Sequence, residues 1–211
     1  MGNILILIFQ LIVLLFSVMI HEISHGAMAN RLGDSTAKDM GRLTLNPLKH
    51  LDPVGSLLVP LSLFLISGGS FVFGWAKPVP YNPYFLKNPK RDAGLIGIAG
   101  PLANLSLALV FGILLRIIFA IGFAGEPLII FLNIIIFVNV LLAIFNLVPI
   151  PPLDGSKVLF AFLPDSAKEI NIFLERYGFF IVLIFIFFGF QLIMPIIYAI
   201  YNLIVGPLGM L

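Results

Sequence analysis

Two histidines stand four residues apart, with a glutamate directly after the first: His21-Glu22-Ile23-Ser24-His25. On a helix, residues i and i+4 share a face, so both imidazoles point the same way and Glu22 lies close to them. This H-E-x-x-H spacing suits a divalent metal such as zinc, held by two neutral imidazoles, with the glutamate as general base. Residues 4–20 just before it carry no charge, and ionisable groups on such a membrane helix are costly enough to read as functional. Polar side chains also hold helices together in bundles, but three ionisable groups in five residues are an expensive glue. The spacing points to a metal site more firmly than to a particular reaction.

A catalytic zinc takes three protein ligands and keeps one position open. The chain has no cysteine, so the third ligand must be His, Asp, Glu or a backbone oxygen. Beside apolar segments stand Glu126 and Asp154, the latter in "FNLVPIPPLDGSKVL". His50, in a polar connector next to Asp52, competes for the role.

The elements that must bring these residues together are membrane spans. Of the 211 residues 60% are hydrophobic and only 10% charged, with a mean hydropathy of +1.12; soluble domains carry about a quarter charged residues. The net charge of +2 is small and scattered, which excludes a nucleic-acid binder. No basic stretch precedes the first apolar run, and that run is too long for a signal peptide, so it is expected to be a retained helix. It reaches from 4 to about 30, and further spans are expected over 93–124, 127–148 and 178–201, the last bent at Pro195. Residues 155–176 read as amphipathic and charged. Residues 54–69 are short for a span and contain Pro60, and the "FGWAKPVPYNPYFLKNPKRD" that follows is loop or extended strand. The expectation is an all-α polytopic membrane protein of about four transmembrane helices. A re-entrant or short hairpin/β segment (54–92) lies near the site, and 1–211 form one domain.

Charge then fixes topology. Lys and Arg gather in 31–49, 77–91 and 157–176, whereas the 123–127 turn holds only Glu126. The positive-inside rule puts the first three on the cytoplasmic side and the turn outside, so 54–69 must enter and leave on one side or lie as a hairpin at the membrane edge. Irregular backbone at that depth needs cover from protein or a water-filled cavity. Two full crossings then separate the His pair from Asp154, which can meet it, and Glu126 cannot. Pro149, Pro151 and Pro152 interrupt helical bonding just before Asp154. An extended peptide could pair with the backbone groups freed there, although a helix merely stopping at the membrane edge would leave the same prolines.

Three stretches together resemble the site-2 proteases, intramembrane zinc metalloproteases. They are His21–His25, the "GPLAN" of 100–104, and "NLVPIPPLDG". The last keeps Asn146, Pro149, Pro152, Asp154 and Gly155 at the spacing of the family's N-x-x-P-x-x-P-x-D-G. The likeness covers roughly 1–30 and 93–163. It implies one zinc per chain on His21, His25 and Asp154, with Glu22 as base and Asn146 steadying the developing oxyanion. Asn104, Pro149 and Pro152 become candidate substrate contacts, with a structural hydrogen bond inside the bundle an equal reading of Asn104, and 41–53 and 73–80 candidate substrate-clamping strands. It also implies a transmembrane protein substrate, a lipid environment and a prokaryotic cell membrane with the site toward the cytoplasm. No PDZ or nucleotide-sensing module is visible, so a minimal form of the family is the expectation. The rivals are a metal carrier, which would want several ligand clusters along a path, and an inactive membrane adaptor, against which the intact Glu22 argues.

Overall fold

The computed structural model describes residues 2–66, 77–123 and 125–206. Among them, eight α-helices follow one another: α1 (Gly2–Arg31), α2 (Thr36–Asp39), α3 (Val59–Ile66), α4 (Pro89–Ala120), α5 (Glu126–Asn146), α6 (Asp154–Phe162), α7 (Lys168–Ile184) and α8 (Phe190–Val205). Four stretches are long and apolar enough to cross a membrane: Ile4–Arg31, Pro89–Ala120, Glu126–Asn146 and Lys168–Val205. In the last, α7 and α8 run together through a π-helical turn, Phe185–Gly189. The all-α polytopic architecture read from the sequence holds, and no strand occurs among the described residues.

At 1.5 Å per residue α1 is about 45 Å long, more than the roughly 30 Å of a hydrocarbon core. It stops where the sequence says it should. Gly33, at φ 109°, takes the turn that a side chain would resist. The N–H of Asp34 reaches back to the Ala29 carbonyl at 2.9 Å and that of Gly33 to Asn30 at 3.3 Å, a Schellman closure.

Three boundaries differ from expectation. Residues 53–66 are helical, a π-turn Pro53–Leu58 running into α3, and so do not take the β form of the expected re-entrant or hairpin segment. Asp52 starts the turn by accepting the N–H groups of Val54 and Gly55, both at 2.8 Å, and Pro53 sits at its first position, where no donor is needed. The described part of the segment is about 21 Å long, against roughly 30 Å for a hydrocarbon core. Of the expected clamping strands, 73–76 lie outside the described residues. The remainder, 77–80, has no regular structure, as has most of 41–53; Pro78 and Pro80 have no N–H to give a ladder. The amphipathic stretch over 155–176 is divided at Leu163-Pro164, so the last span begins at Lys168, ten residues earlier than expected. Its irregular turn precedes Pro195, which lies inside α8.

Within lipid, apolar burial gives helices little reason to associate, and small residues let them approach closely instead. α4 shows this along its length. Gly94, Gly97, Gly100, Asn104, Ala108, Gly112 and Leu115 recur every three or four residues and are all buried. Cβ atoms built there would meet Ala161 of α6 at Gly94, Lys157 of α6 at Gly97 and Ile204 of α8 at Gly112. α4 is therefore the central helix, with α1, α5, α6 and α8 packed against it. Apolar side chains such as Leu109, Ile113, Phe188 and Leu203 face outward.

Beyond α1, Asp34 is fully buried and ties the helix end to the 77–82 segment. One carboxylate oxygen accepts the Thr36 N–H at 3.0 Å and its hydroxyl, and the other the Asn82 N–H at 2.6 Å. Burial pushes its pKa up, but the Thr36 hydroxyl and the two backbone donors outweigh it and hold the carboxyl below its ordinary value. A lowered folded-state pKa stabilises above the unfolded value of about 4, and that contribution is lost as pH falls through the lower folded value. Asp34→Ala leaves three donors unanswered and should cost about 1–3 kcal/mol at neutral pH. Thermal unfolding in detergent should show the gap to wild type closing as pH drops below about 4.

Candidate metal centre

The hydrogen bonds around α1 and α4 set the orientation of both imidazoles. His21 and His25, on adjacent turns of α1, are buried, and their rings meet edge to face, 4.6 Å between centroids. His21 Nδ1–H donates to Asn104 Oδ1 at 2.6 Å, and His25 Nδ1–H donates to the Ile96 carbonyl at 2.6 Å. Asn104 has its amide fixed in turn, with Nδ2 donating to the Ser17 carbonyl at 3.2 Å and to Asn139 Oδ1 at 2.9 Å. Asn139 closes the chain onto Ser17 Oγ at 2.9 Å. With both Nδ1 atoms spent as donors, each neutral ring carries its lone pair on Nε2.

Those two Nε2 atoms face one oxygen. Asp154 Oδ2 lies 2.9 Å from His21 Nε2 and 3.0 Å from His25 Nε2, and all three residues are buried. Three acceptors turned on one another repel unless a cation joins them. Their mutual separations, within 4.8 Å, suit one metal ion, and the outer hydrogen bonds are the kind that orient imidazole ligands. The residues fit zinc with two nitrogen ligands and one oxygen ligand. Lys157, one turn along α6, holds the other carboxylate oxygen, Nζ to Oδ1 at 2.9 Å, so Oδ2 is the one left facing the histidines.

α4 has to come very close for this to happen. A Cβ on Gly100 would stand 2.5 Å from His25 Nε2 and 2.6 Å from His21 Nε2. Asp154 arrives by a similar route, because Gly155 abuts the Leu147 carbonyl, folding the turn after α5 back over the bundle.

A cavity of 370 Å³ opens on the cluster, lined also by Glu22, Asn146, Pro152 and Lys157. Glu22 Oε2 accepts the N–H of Val79 at 2.8 Å, and a strap without regular structure, residues 77–81, borders the cavity. The strap is tied down elsewhere: Lys77 N–H donates to the His50 carbonyl at 2.9 Å, and buried Arg42 donates Nη2 to the carbonyls of Lys77 at 2.9 Å and Pro78 at 3.4 Å.

The positions read from the sequence therefore separate into groups. His21, His25 and Asp154 come together, with Glu22, Asn146 and Pro152 around them. Asn104 is fully buried behind His21 rather than lining the cavity, and Pro149 is exposed away from it. His50 is buried in its connector, with Nε2 on the Thr44 carbonyl at 2.9 Å. Glu126 starts α5, at the opposite end of that helix from Asn146. Sequence reasoning did not assign Gly100, Lys157 or Arg42. Gly100 had a signal, the G-P-x-x-N stretch it opens; Lys157 and Arg42 had none beyond their charge.

Fold and cluster together define a multi-pass membrane protein with a His-His-Asp group able to hold a metal ion and the Glu22 carboxylate beside it. Residues 121–189 match peptidase family M50. Two proteins named "Putative zinc metalloprotease" are similar over most of the chain. YwhC of Bacillus subtilis (strain 168) is 40% identical over 181 residues, 83% of this chain and 78% of its own. Rip2 of Mycolicibacterium smegmatis is 33% identical over 174 residues, 81% of this chain and 63% of its own. No solved structure matches. The chain belongs to peptidase family M50, the zinc metalloproteases of the site-2 type that its motifs resemble.

Two outcomes test this geometry. Gly100→Ala places a methyl group against both ligating nitrogens and should abolish zinc retention, measured by metal analysis of the purified protein, while circular dichroism stays helical. Arg42→Gln frees the strap, so hydrogen exchange at Lys77 and Val79 should speed up severalfold with zinc content unchanged; unchanged exchange would mean that Arg42 does not hold the strap.

Proposed function

We propose that this protein hydrolyses peptide bonds within or next to transmembrane segments of membrane proteins. The observation that carries the reading is one cavity holding the His21–His25–Asp154 cluster and the Glu22 carboxylate together. His21, His25 and Asp154 would hold the zinc. When bound, it supplies Lewis-acid chemistry, polarising a carbonyl and lowering the pKa of water.

The residues of the chain do the rest. Glu22 takes the proton of the attacking water and delivers it to the leaving amine. Val79 N–H holds one of its oxygens, which leaves the other to face the reaction. Asn146 gives one amide proton to the Leu142 carbonyl at 2.9 Å. Its second is free to meet the oxyanion that develops on the substrate carbonyl, a role of electrostatic stabilisation. Lys157 keeps Asp154 turned toward the histidines. The Pro152 wall and the Val79 strap leave a slot for extended chain, so a substrate helix must unwind first, since its carbonyls are otherwise bonded within the helix. Helix-weak residues in the substrate favour that step.

Depth supports the intramembrane part. His21 lies about 25 Å along the span that starts at Ile4, near one edge of a ~30 Å hydrocarbon layer. All but Arg116 of the 12 Lys and Arg belong to segments at or near that edge, which by the charge rule faces the cytoplasm of a prokaryotic cell membrane. Among the described residues no second group of three metal-binding side chains occurs, whereas a carrier would need a path of them.

The decisive experiment compares wild type with Glu22→Gln at equal expression, using peptide mass spectrometry of membrane-protein fragments. Fragments ending inside membrane segments should appear with wild type and fall at least about a hundredfold in the variant, with both proteins retaining zinc. Identical fragment sets from zinc-loaded proteins would rule out proteolysis.

A further inference from the structure

Pro78 and Pro80 line two cavities, that of the metal cluster and a larger one of 790 Å³, so the strap is a wall common to both. The larger cavity carries positive charge that nothing balances. Arg42, Lys49 and Lys77 line it against a single acid, Asp52, which already caps the π-turn through the N–H groups of Val54 and Gly55. Even with Asp52 counted in full, three cations against one acid leave an excess of two. The sequence supplies no other acid there, since Asp52 is the only Asp or Glu between Met40 and Arg91. Arg42 is the buried member of the set. It gives Nη2 to the neutral carbonyls of Lys77 and Pro78, and its Nε–H has no acceptor among the described residues. A buried cation without a counter-charge is costly, and an anion beside it lowers that cost.

The cavity also stands at the right depth for a lipid. A Cβ on Gly26 would lie 2.7 Å from both Leu43 and Val79, so the connector and the strap fold back onto α1 there. Gly26 is about 33 Å along the span that starts at Ile4, at headgroup level just past a ~30 Å hydrocarbon layer. Exposed Met40, Leu48 and Leu51 share the cavity wall with the cations, and basic pockets at a membrane face take anionic headgroups. We propose that this cavity holds the phosphate of an anionic phospholipid. Arg42, Lys49 and Lys77 surround the phosphate, and the acyl chains run against Met40, Leu48 and Leu51. The bound lipid adds contacts to Lys77 and to the prolines of the strap, and so steadies the chain that borders the metal cluster. A free phosphate would meet the same cations but would leave the three apolar side chains in water. The site depends on charge and depth alone and stands whether or not the neighbouring cavity cuts peptides.

The test uses full-length, zinc-loaded protein in detergent. It is titrated with phosphatidylglycerol and with phosphatidylcholine of the same acyl chains, and bound lipid is counted by native mass spectrometry. Phosphatidylglycerol should bind roughly tenfold tighter, the scale of contacts between basic side chains and anionic lipid. In the Lys49→Glu, Lys77→Glu double variant the excess turns negative, so the preference should pass to a cationic ethyl-phosphatidylcholine, a reversal that loss of structure cannot produce. Equal binding of the first two lipids by wild type, or a preference for phosphatidylglycerol that survives the charge reversal, overturns the site. Displacement of phosphatidylglycerol by excess inorganic phosphate overturns the lipid as its occupant and marks a site for free phosphate. Hydrogen exchange reads the strap: at Lys77 and Val79 it should slow severalfold when phosphatidylglycerol binds wild type and stay unchanged in the double variant. Unaltered exchange in lipid-bound wild type would overturn the link between the lipid and the strap.

Discussion

Three electron-pair donors are forced face to face inside the bundle, and most of the polar structure exists to keep them there. Two imidazole nitrogens and a carboxylate oxygen at 2.9 and 3.0 Å are a high-energy arrangement for a protein alone and a favourable one around a cation. Metal affinity is obtained by making the ligand positions unavoidable before the metal arrives. The Asn104–Asn139–Ser17 chain and the Ile96 carbonyl fix the rings from behind, and Lys157 fixes the carboxylate from the side. Each of these partners is itself satisfied, which matters because a half-satisfied buried network would cost more than an apolar core.

The same requirement shapes the helix packing. Bringing Asp154 against α1 while α4 passes behind leaves no space for side chains on α4, which explains its run of glycines where a membrane helix would otherwise carry leucine. Gly100 is the tightest point for the site, but Gly94 and Gly97 do the same for α6, which carries both Asp154 and Lys157. The packing seam and the metal site are thus one construction, with α4 as its spine.

Much of this was legible in the sequence, for a definable reason. The His pair and Glu22 are local, and helical periodicity alone aligns them. Asp154 required only counting crossings and summing loop charge, both of which are additive along the chain. What escaped depends on close approach between distant segments. Asn104 reads equally as a substrate contact or as a hydrogen bond inside the bundle until its partner His21 is placed, 83 positions away. Lys157 is one basic residue among many until α6 turns its Nζ onto Asp154. The strap at Lys77–Tyr81 reads as a possible strand, yet its prolines leave it few donors, and its carbonyls go to the Arg42 guanidinium rather than to a ladder.

That strap reconciles two demands that conflict in a membrane. A hydrolase needs water and exposed backbone acceptors, while lipid penalises both. Here the cluster sits near the end of α1 that carries the polar connectors, so irregular chain can cover it without being exposed to lipid. The strap fills its own hydrogen-bonding needs through His50, Arg42 and Glu22 and is not a regular element packed on all sides. Only a few bonds hold it to the rest of the protein, and Val79 alone of residues 77–81 is buried. Segments with few buried contacts are the ones that open first, and this one borders the metal cavity.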